Sequence, residues 1–307
     1  MILVQGNNTT HLVTNTKPFN GANELQEPPA LLVKALQFYF KSIGKLFPSK
    51  SVKLASQLFS SPFYRAKHRR SDELLESAER SFLKVDGNNI RIYKWGASDR
   101  KVLLLHGWQS RGTALRGFVP GLIEKGFEVI ALDAPAHGES DGKACSVRLY
   151  AEAVEAVVTK YPEISSVISH SIGSVTWMYY SSFINPAFKL ERLIMMAAPD
   201  SFENIVNNAI RMFGLSGKLK DLFMEEVFDH FNITNADDFS LSGKLGQINI
   251  NEVHVIHDAD DHLIPMERAT YIIEHISQSH LYTTKGFGHF RLVKNPVVME
   301  KVLDLAK

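Results

Sequence analysis

The spacing of apolar positions changes twice along this chain. Residues 1–28 are rich in Asn, Thr, Gly and Gln and close on Pro28-Pro29, which predicts a loose or peripheral lead-in. From Ala30 to Phe47 the chain is dense in Leu, Phe, Tyr and Val, and its polar positions Lys34, Gln37, Lys41 and Lys45 recur every three or four residues. That spacing predicts a helix with one narrow polar stripe, ended by Pro48. Such a helix either packs over the main domain or lies on a membrane surface or a second copy of the chain. Two more helical segments are expected near 50–60 and 71–79, with Arg65, Lys67, His68, Arg69 and Arg70 between them. Asp72, Glu73 and Glu76 follow directly and offset that charge, so the basic stretch reads as a solvated face before it reads as a phosphate site.

At Ser81 the period falls to two. Residues 81–85 and 90–95 alternate around Asp86-Gly87-Asn88-Asn89, which predicts a hairpin. Beyond it, apolar runs at 102–105, 127–132, 164–168, 193–197, 253–257 and 280–283 read as strands. Helical patterns near 113–125, 147–160, 172–183, 266–275 and 297–306 separate them. Continuous apolar strands divided by helices predict a mostly parallel central sheet with helices on both faces. Residues 200–245 break the series with helical patterns at 204–213 and 219–228. An insertion at that place is expected to cap the carboxyl ends of the strands, where open α/β sheets bind ligands. The expected organisation is a helical extension over 1–80, an α/β core over 81–199 and 246–307, and a helical cap over 200–245.

Composition narrows the function classes. With 307 residues, 45% apolar and 22% charged, the chain reads as globular. Lys+Arg 34 against Asp+Glu 33 leaves +1, so no global basic field holds a nucleic acid. The single cysteine, Cys145, can form neither an internal disulfide nor a cysteine-rich zinc site. The opening MILV has no basic residues before it, and no apolar run approaches the roughly 20 residues of a membrane span. A soluble, cytoplasmic protein is expected.

The chemistry sits in the loops after the strands. Ser169-His170-Ser171-Ile172-Gly173 lies between a strand and a helix, the setting of a nucleophile elbow. Small residues flank Ser171 because such a turn brings strand and helix backbones together. His106-Gly107-Trp108 ends another strand, and the backbone N–H groups of Trp108 and Ile172 are candidate oxyanion donors. His106 and Asp133, in Asp133-Ala134-Pro135-Ala136-His137-Gly138-Glu139-Ser140, read as residues that order their loops rather than as catalytic groups. Asp258, Asp260 and Asp261 could orient a histidine or, with His257 and His262, bind a metal; the acid-partner reading is preferred because Ser171 and His289 need one. His289 follows Gly288 after the last strand. His170, beside the candidate nucleophile, either lines a pocket or packs on the sheet.

Together these pieces resemble the α/β-hydrolase superfamily, in its branch of small bacterial serine hydrolases and esterases. The resemblance covers about residues 81–307 and follows the family order Ser…Asp…His. Ser169 stands where the family usually has Gly, and Asp258 where it often has Gly. Family members place the acid four residues before a Pro, so Asp261 with Pro265 is implied, with Asp260 its rival. Asp200 is the candidate for relatives whose acid follows the preceding strand. The resemblance implies acyl transfer on Ser171, with His289 as base, Asp261 as its orienting acid and no cofactor or metal. Its substrate would be a small acyl ester or thioester, in a pocket under the 200–245 insertion; Trp108, Met212 and Phe213 either wall that pocket or pack in the core. A lipase-like enzyme at a membrane and a non-catalytic binding module are the alternatives.

Overall fold

The computed structural model describes residues 2–4, 9–12, 30–62, 65–66, 72–230 and 247–306. Among the described residues, ten strands form one sheet: β1 Ile2–Val4, β2 Thr9–Leu12, β3 Glu79–Val85, β4 Asn88–Trp95, β5 Lys101–Leu105, β6 Glu128–Leu132, β7 Ile164–His170, β8 Leu190–Met196, β9 Ile250–Asp258 and β10 Ser279–Thr284. Their spatial order is β1-β2-β10-β9-β8-β7-β5-β6-β4-β3. Pairing is parallel from β6 through β5, β7, β8, β9 and β10 to β2, and antiparallel only at β1–β2, β3–β4 and β4–β6.

The apolar runs are continuous because both faces of the sheet are covered. Leu103 and Leu105 of β5 pack with Val167, Leu193 and Val255 in the core on one face. Val102 and Leu104 pack with Ile168, Ile194 and Ile256 in the core on the other. The central strand β5 has β6 on one side and β7 on the other, so successive crossovers leave it in opposite directions. A crevice therefore opens at the carboxyl ends of β5 and β7, where the loops carrying the candidate chemistry converge.

Several boundaries differ from the sequence reading. The lead-in supplies two short strands at the sheet edge rather than only loose chain; residues 5–8 and 13–29 lie outside the described residues. The first helix ends at Lys41, not at Phe47, and a 3₁₀ turn over Ile43–Leu46 follows. Gly44 permits that turn: a Cβ there would stand 3.2 Å from Tyr39 O and from Ser51 Oγ. Pro48 then opens the helix Pro48–Ser60, where its missing N–H costs nothing. The hairpin turn has two residues, Asp86 and Gly87, with φ of 44° and 77°, which lets Asn88 and Asn89 join β4. The expected helix near 113–125 divides into a 3₁₀ segment, Gly112–Phe118, and a helix, Val119–Glu124.

Two helices of the expected cap, Phe202–Phe213 and Lys218–His230, are present; residues 231–246 lie outside the described residues, as do 67–71 of the basic stretch. These helices do not cover the strand ends alone. Phe40 of the helix Ala30–Lys41 meets Phe213 at 5.8 Å between ring centroids, and Phe59 of Pro48–Ser60 meets Phe223 at 5.7 Å. Gln37 Nε2 donates to Met212 O at 3.2 Å. The N-terminal helices and the insertion thus form one helical layer over the crevice. Among the described residues, no helix is long and apolar enough to cross a membrane.

The helix Ile172–Tyr179 leaves β7 pressed against β5. A Cβ on Gly173 would stand 2.6 Å from Leu105 O and 2.9 Å from His106 O. Gly173→Ala is therefore expected to lower unfolding stability by about 1–3 kcal/mol, measured by urea denaturation. An unchanged midpoint would mean that the helix can step back from β5 without cost.

Candidate active site

β7 ends at His170 and the helix starts at Ile172, so the reversal falls on Ser171 alone. Its backbone adopts φ 54° and ψ −124°, a region few non-glycine residues occupy. Ser171 N–H still donates to Met196 O at 3.0 Å, so the strand ladder holds one side of the turn. The other side is held by close packing. Gly107 comes so near that a Cβ there would lie 2.7 Å from His170 Nδ1 and 3.3 Å from Ser171 Cβ. Ser169, where a Gly was the simpler fit, is accommodated by a hydrogen bond to Ser174 Oγ at 2.9 Å.

Ser171 Oγ lies 3.0 Å from His289 Nε2, and His289 Nδ1 lies 2.8 Å from Asp261 Oδ2. An ionised Asp261 only accepts, so Nδ1 carries the proton and donates to it, and Nε2 accepts from the Ser171 hydroxyl. Burial pushes the Asp261 pKa up, but the His289 hydrogen bond and charge, the Ile264 N–H and His257 outweigh burial and leave it below the ordinary carboxylate value. Asp261 Oδ1 accepts from Leu263 N–H at 2.9 Å and Ile264 N–H at 2.8 Å, which fixes the carboxylate.

The rival acids lie elsewhere. Asp260 is half-buried and donates its own N–H to Asp258 Oδ1 at 3.0 Å. Asp200 hydrogen-bonds Asn204 and lies 3.4 Å from the Arg268 guanidinium. His257 Nε2 donates to Ile264 O at 2.8 Å, and among the described residues no three metal-ligating side chains converge.

Asp258, His170 and His137 anchor the loops through partners that the residue pattern does not disclose. Asp258 accepts from Thr284 Oγ1 at 2.6 Å, Phe287 N–H at 3.1 Å and Gly288 N–H at 3.0 Å. It thereby ties the His289 loop to the loop of Asp261. Its place at the carboxyl end of β9 was visible; its partners, some thirty residues on, were not. His170 Nε2–H donates to His289 O at 3.0 Å, so this ring both borders the cavity and braces the His289 backbone. His137 Nε2 accepts from Gln109 N–H at 3.1 Å and pins the loop that carries Trp108.

The loop-ordering roles of His106 and Asp133 have a direct basis. His106 Nδ1–H donates to Gly107 O at 2.7 Å, and its Nε2 accepts from Ala134 N–H at 2.9 Å. Asp133 accepts from Gly112 N–H at 2.6 Å, Glu139 N–H at 2.8 Å and the Tyr93 hydroxyl at 3.1 Å. Burial raises the Asp133 pKa to about 6 despite those bonds.

A cavity of about 710 Å³ opens above Ser171. Trp108, Ile172, Met212 and Phe213 all border it, together with Val33 and Gln37 of the first helix. Phe213 is also a core residue, fully buried between Phe40 and Phe223, whereas Met212 is half-buried. Trp108 packs edge-on against His137, with ring centroids 5.0 Å apart. Among the described residues, Lys34 and Arg211 are the lysine and arginine side chains that border the cavity, and no carboxylate side chain borders it.

The model of the alpha/beta hydrolase family matches residues 102–245. Among solved structures, an esterase from Pyrococcus furiosus is 19% identical, with 80% of this chain and 95% of that one covered and a TM-score of 0.58. An esterase from Exiguobacterium antarcticum is 20% identical, covering 74% and 98%, with a TM-score of 0.57. A thioesterase domain from the curacin biosynthetic pathway is 18% identical, covering 75% and 99%, with a TM-score of 0.56. At these identities the likeness is one of fold. A serine hydrolase-like protein from Dictyostelium discoideum is 30% identical over 95 residues, a match spanning 29% of this chain and 26% of that protein. The sheet order, the strand-end crevice and the family-model match over residues 102–245 define one class of fold: this chain has the α/β-hydrolase fold.

The loop-bracing histidines yield a prediction. Burial holds His137 neutral down to about 4 and, with the like charge of His289, His170 down to about 3. Side-chain nitrogen NMR is expected to show His106 and His137 as Nδ1–H tautomers and His170 as the Nε2–H tautomer, none of them charging between pH 8 and 5. An unfolded His137 would charge near 6.5, so its contribution to stability is full above that pH and is lost as pH falls toward 4. Titration of His137 or His170 near neutrality would refute these hydrogen-bond assignments.

Proposed function

We propose that this chain is a serine hydrolase that cleaves carboxylic esters or thioesters through an acyl-enzyme on Ser171. The observation that carries this reading is the unbroken relay from Ser171 Oγ through His289 to Asp261, at 3.0 Å and 2.8 Å, beneath an apolar cavity. A serine hydroxyl is a weak nucleophile at its own pKa, and a hydrogen-bonded imidazole takes its proton as it attacks. Here His289 Nε2 accepts that proton, and the C–O or C–S bond to the leaving group breaks after a tetrahedral intermediate has formed. His289 then returns the proton to the leaving alcohol or thiol. Water, deprotonated by the same ring, releases the acid from Ser171. Asp261 holds the productive tautomer and stabilises the transient imidazolium.

The negative oxygen of the intermediate needs donors in place beforehand. The backbone N–H groups of Ile172, the first residue of its helix, and of Trp108, in the loop pinned by His137, are the ones we assign. Loss of one such donor typically raises the barrier by about 3–4 kcal/mol. The cavity, with its Met212, Phe202 and Ile205 lining, suits an aliphatic acyl or alcohol moiety.

A fluorophosphonate probe is expected to label the folded protein, and Ser171→Ala to abolish labelling. Turnover of p-nitrophenyl esters is expected to fall by about 10⁴-fold in Asp261→Asn, through the wrong histidine tautomer. Well-folded wild type that neither labels nor turns over esters would overturn the proposal and leave the cavity as a binding site.

A further inference from the structure

The helix that borders the cavity on its inner side carries unusual residues on its outer side. Among the described residues, nine large hydrophobic side chains are exposed, and six of them are Leu31, Leu32, Phe38, Ile43, Leu46 and Phe47. Leu31 is 80% exposed, Phe38 69% and Leu46 74%. Leu31 and Phe38 stand seven residues apart on one helical face, with Lys34 and Lys41, also seven apart, on the adjoining stripe. The opposite face is the packed one, where Phe40 and Gln37 hold the helix Phe202–Phe213.

Charge on this segment is one-sided. Lys34, Lys41, Lys45, Lys50 and Lys53 are all exposed, and the sequence holds no Asp or Glu between Pro28 and Ser71. The chain as a whole carries only +1, so the cationic segment is a local concentration set against acidic residues elsewhere. Exposed Leu and Phe flanked by lysines are the pattern of a helix that lies in a lipid headgroup layer, its apolar side chains among the acyl chains and its lysines on anionic headgroups. A soluble protein partner would need carboxylates beside an apolar groove; an anionic bilayer supplies both features continuously.

We propose that residues 30–53 dock this protein onto anionic lipid surfaces, and that its substrates are long-chain acyl esters presented there. Ala30, Val33, Lys34 and Gln37 border the same cavity that contains Ser171, so docking through Leu31 and Phe38 sets the cavity beside the membrane surface. An acyl chain would pass between the first helix and the helix Phe202–Phe213 toward Ser171. The substrate half of this proposal rests on the hydrolase reading; the docking half does not.

The test uses the full chain and sedimentation with unilamellar vesicles of phosphatidylcholine, with or without 30% phosphatidylglycerol. Wild type and Ser171→Ala are both expected to bind the anionic vesicles at least tenfold better than the neutral ones, with loss of binding in 0.5 M salt. Leu31→Asp combined with Phe38→Asp is expected to lower binding at least tenfold, with circular dichroism and hydrolysis of soluble p-nitrophenyl acetate unchanged. Long-chain esters embedded in anionic vesicles are expected to be cleaved at least tenfold faster than in neutral ones. Equal partition to both vesicles, or none, overturns the docking. A monomer–dimer equilibrium in sedimentation velocity that the same double substitution abolishes would overturn it in favour of self-association. Vesicle binding without any ester hydrolysis would leave docking standing and remove the hydrolase reading instead.

Discussion

The geometry of the site depends on one backbone reversal, at Ser171, held at φ 54° and ψ −124°. An isolated chain does not stay in that conformation, because an L-residue there has its side chain crowded by its own backbone. Contacts on every side determine it. β8 takes the Ser171 N–H through Met196 O, and Gly107 and Gly173 let the stretch 105–107 approach the turn to distances that a Cβ would block. The turn lifts Oγ out of the sheet edge toward His289 and starts a helix whose first N–H groups are not taken by the helix itself, as the proposed acyl transfer requires.

Around that turn the loops are held by buried polar groups rather than by apolar packing. His106, His137, His170, Asp133, Asp258 and Asp261 each have most of their surface hidden from water; the first five each hydrogen-bond a backbone N–H or C=O group of a neighbouring loop, and Asp261 bonds the backbone of its own loop and the His289 side chain. A buried polar group without a partner costs roughly 1–3 kcal/mol, so each of these is bound to a particular loop geometry. The histidines serve in this way because burial keeps them neutral, with one nitrogen donating and the other free to accept. Two adjacent histidines, His170 and His289, thus take different parts. The first braces the carbonyl of the second, while the second meets Ser171 and Asp261.

The helical layer above the site has two origins in the chain. Aromatic contacts join residues near 40 and 59 to residues near 213 and 223, so the N-terminal helices finish the cavity that the insertion begins. An inner face committed to the cavity and an outer face left apolar and cationic make the first helix different from one that simply covers a core.

Much of this was legible in the residues because it depends on local period. Apolar runs broken by helical patterns determined a covered, mostly parallel sheet, since only burial on both faces tolerates strands without polar alternation. Small residues around Ser171, and glycines and aspartates at strand ends, marked the loops that would carry chemistry. What local pattern does not contain is distance across the sheet. The pairing of the N-terminal strand β2 with β10, and the bonds from Asp258 to Gly288 and from His170 to His289, depend on partners tens to hundreds of residues away. The resemblance implied Asp261, four residues before Pro265, over Asp260 and Asp200, but the contact of its carboxylate with His289 is a tertiary fact. Three aspartates within four residues are chemically alike in sequence, and only the packing of β9 against β10 brings one carboxylate, and not its neighbours, to within 2.8 Å of the imidazole.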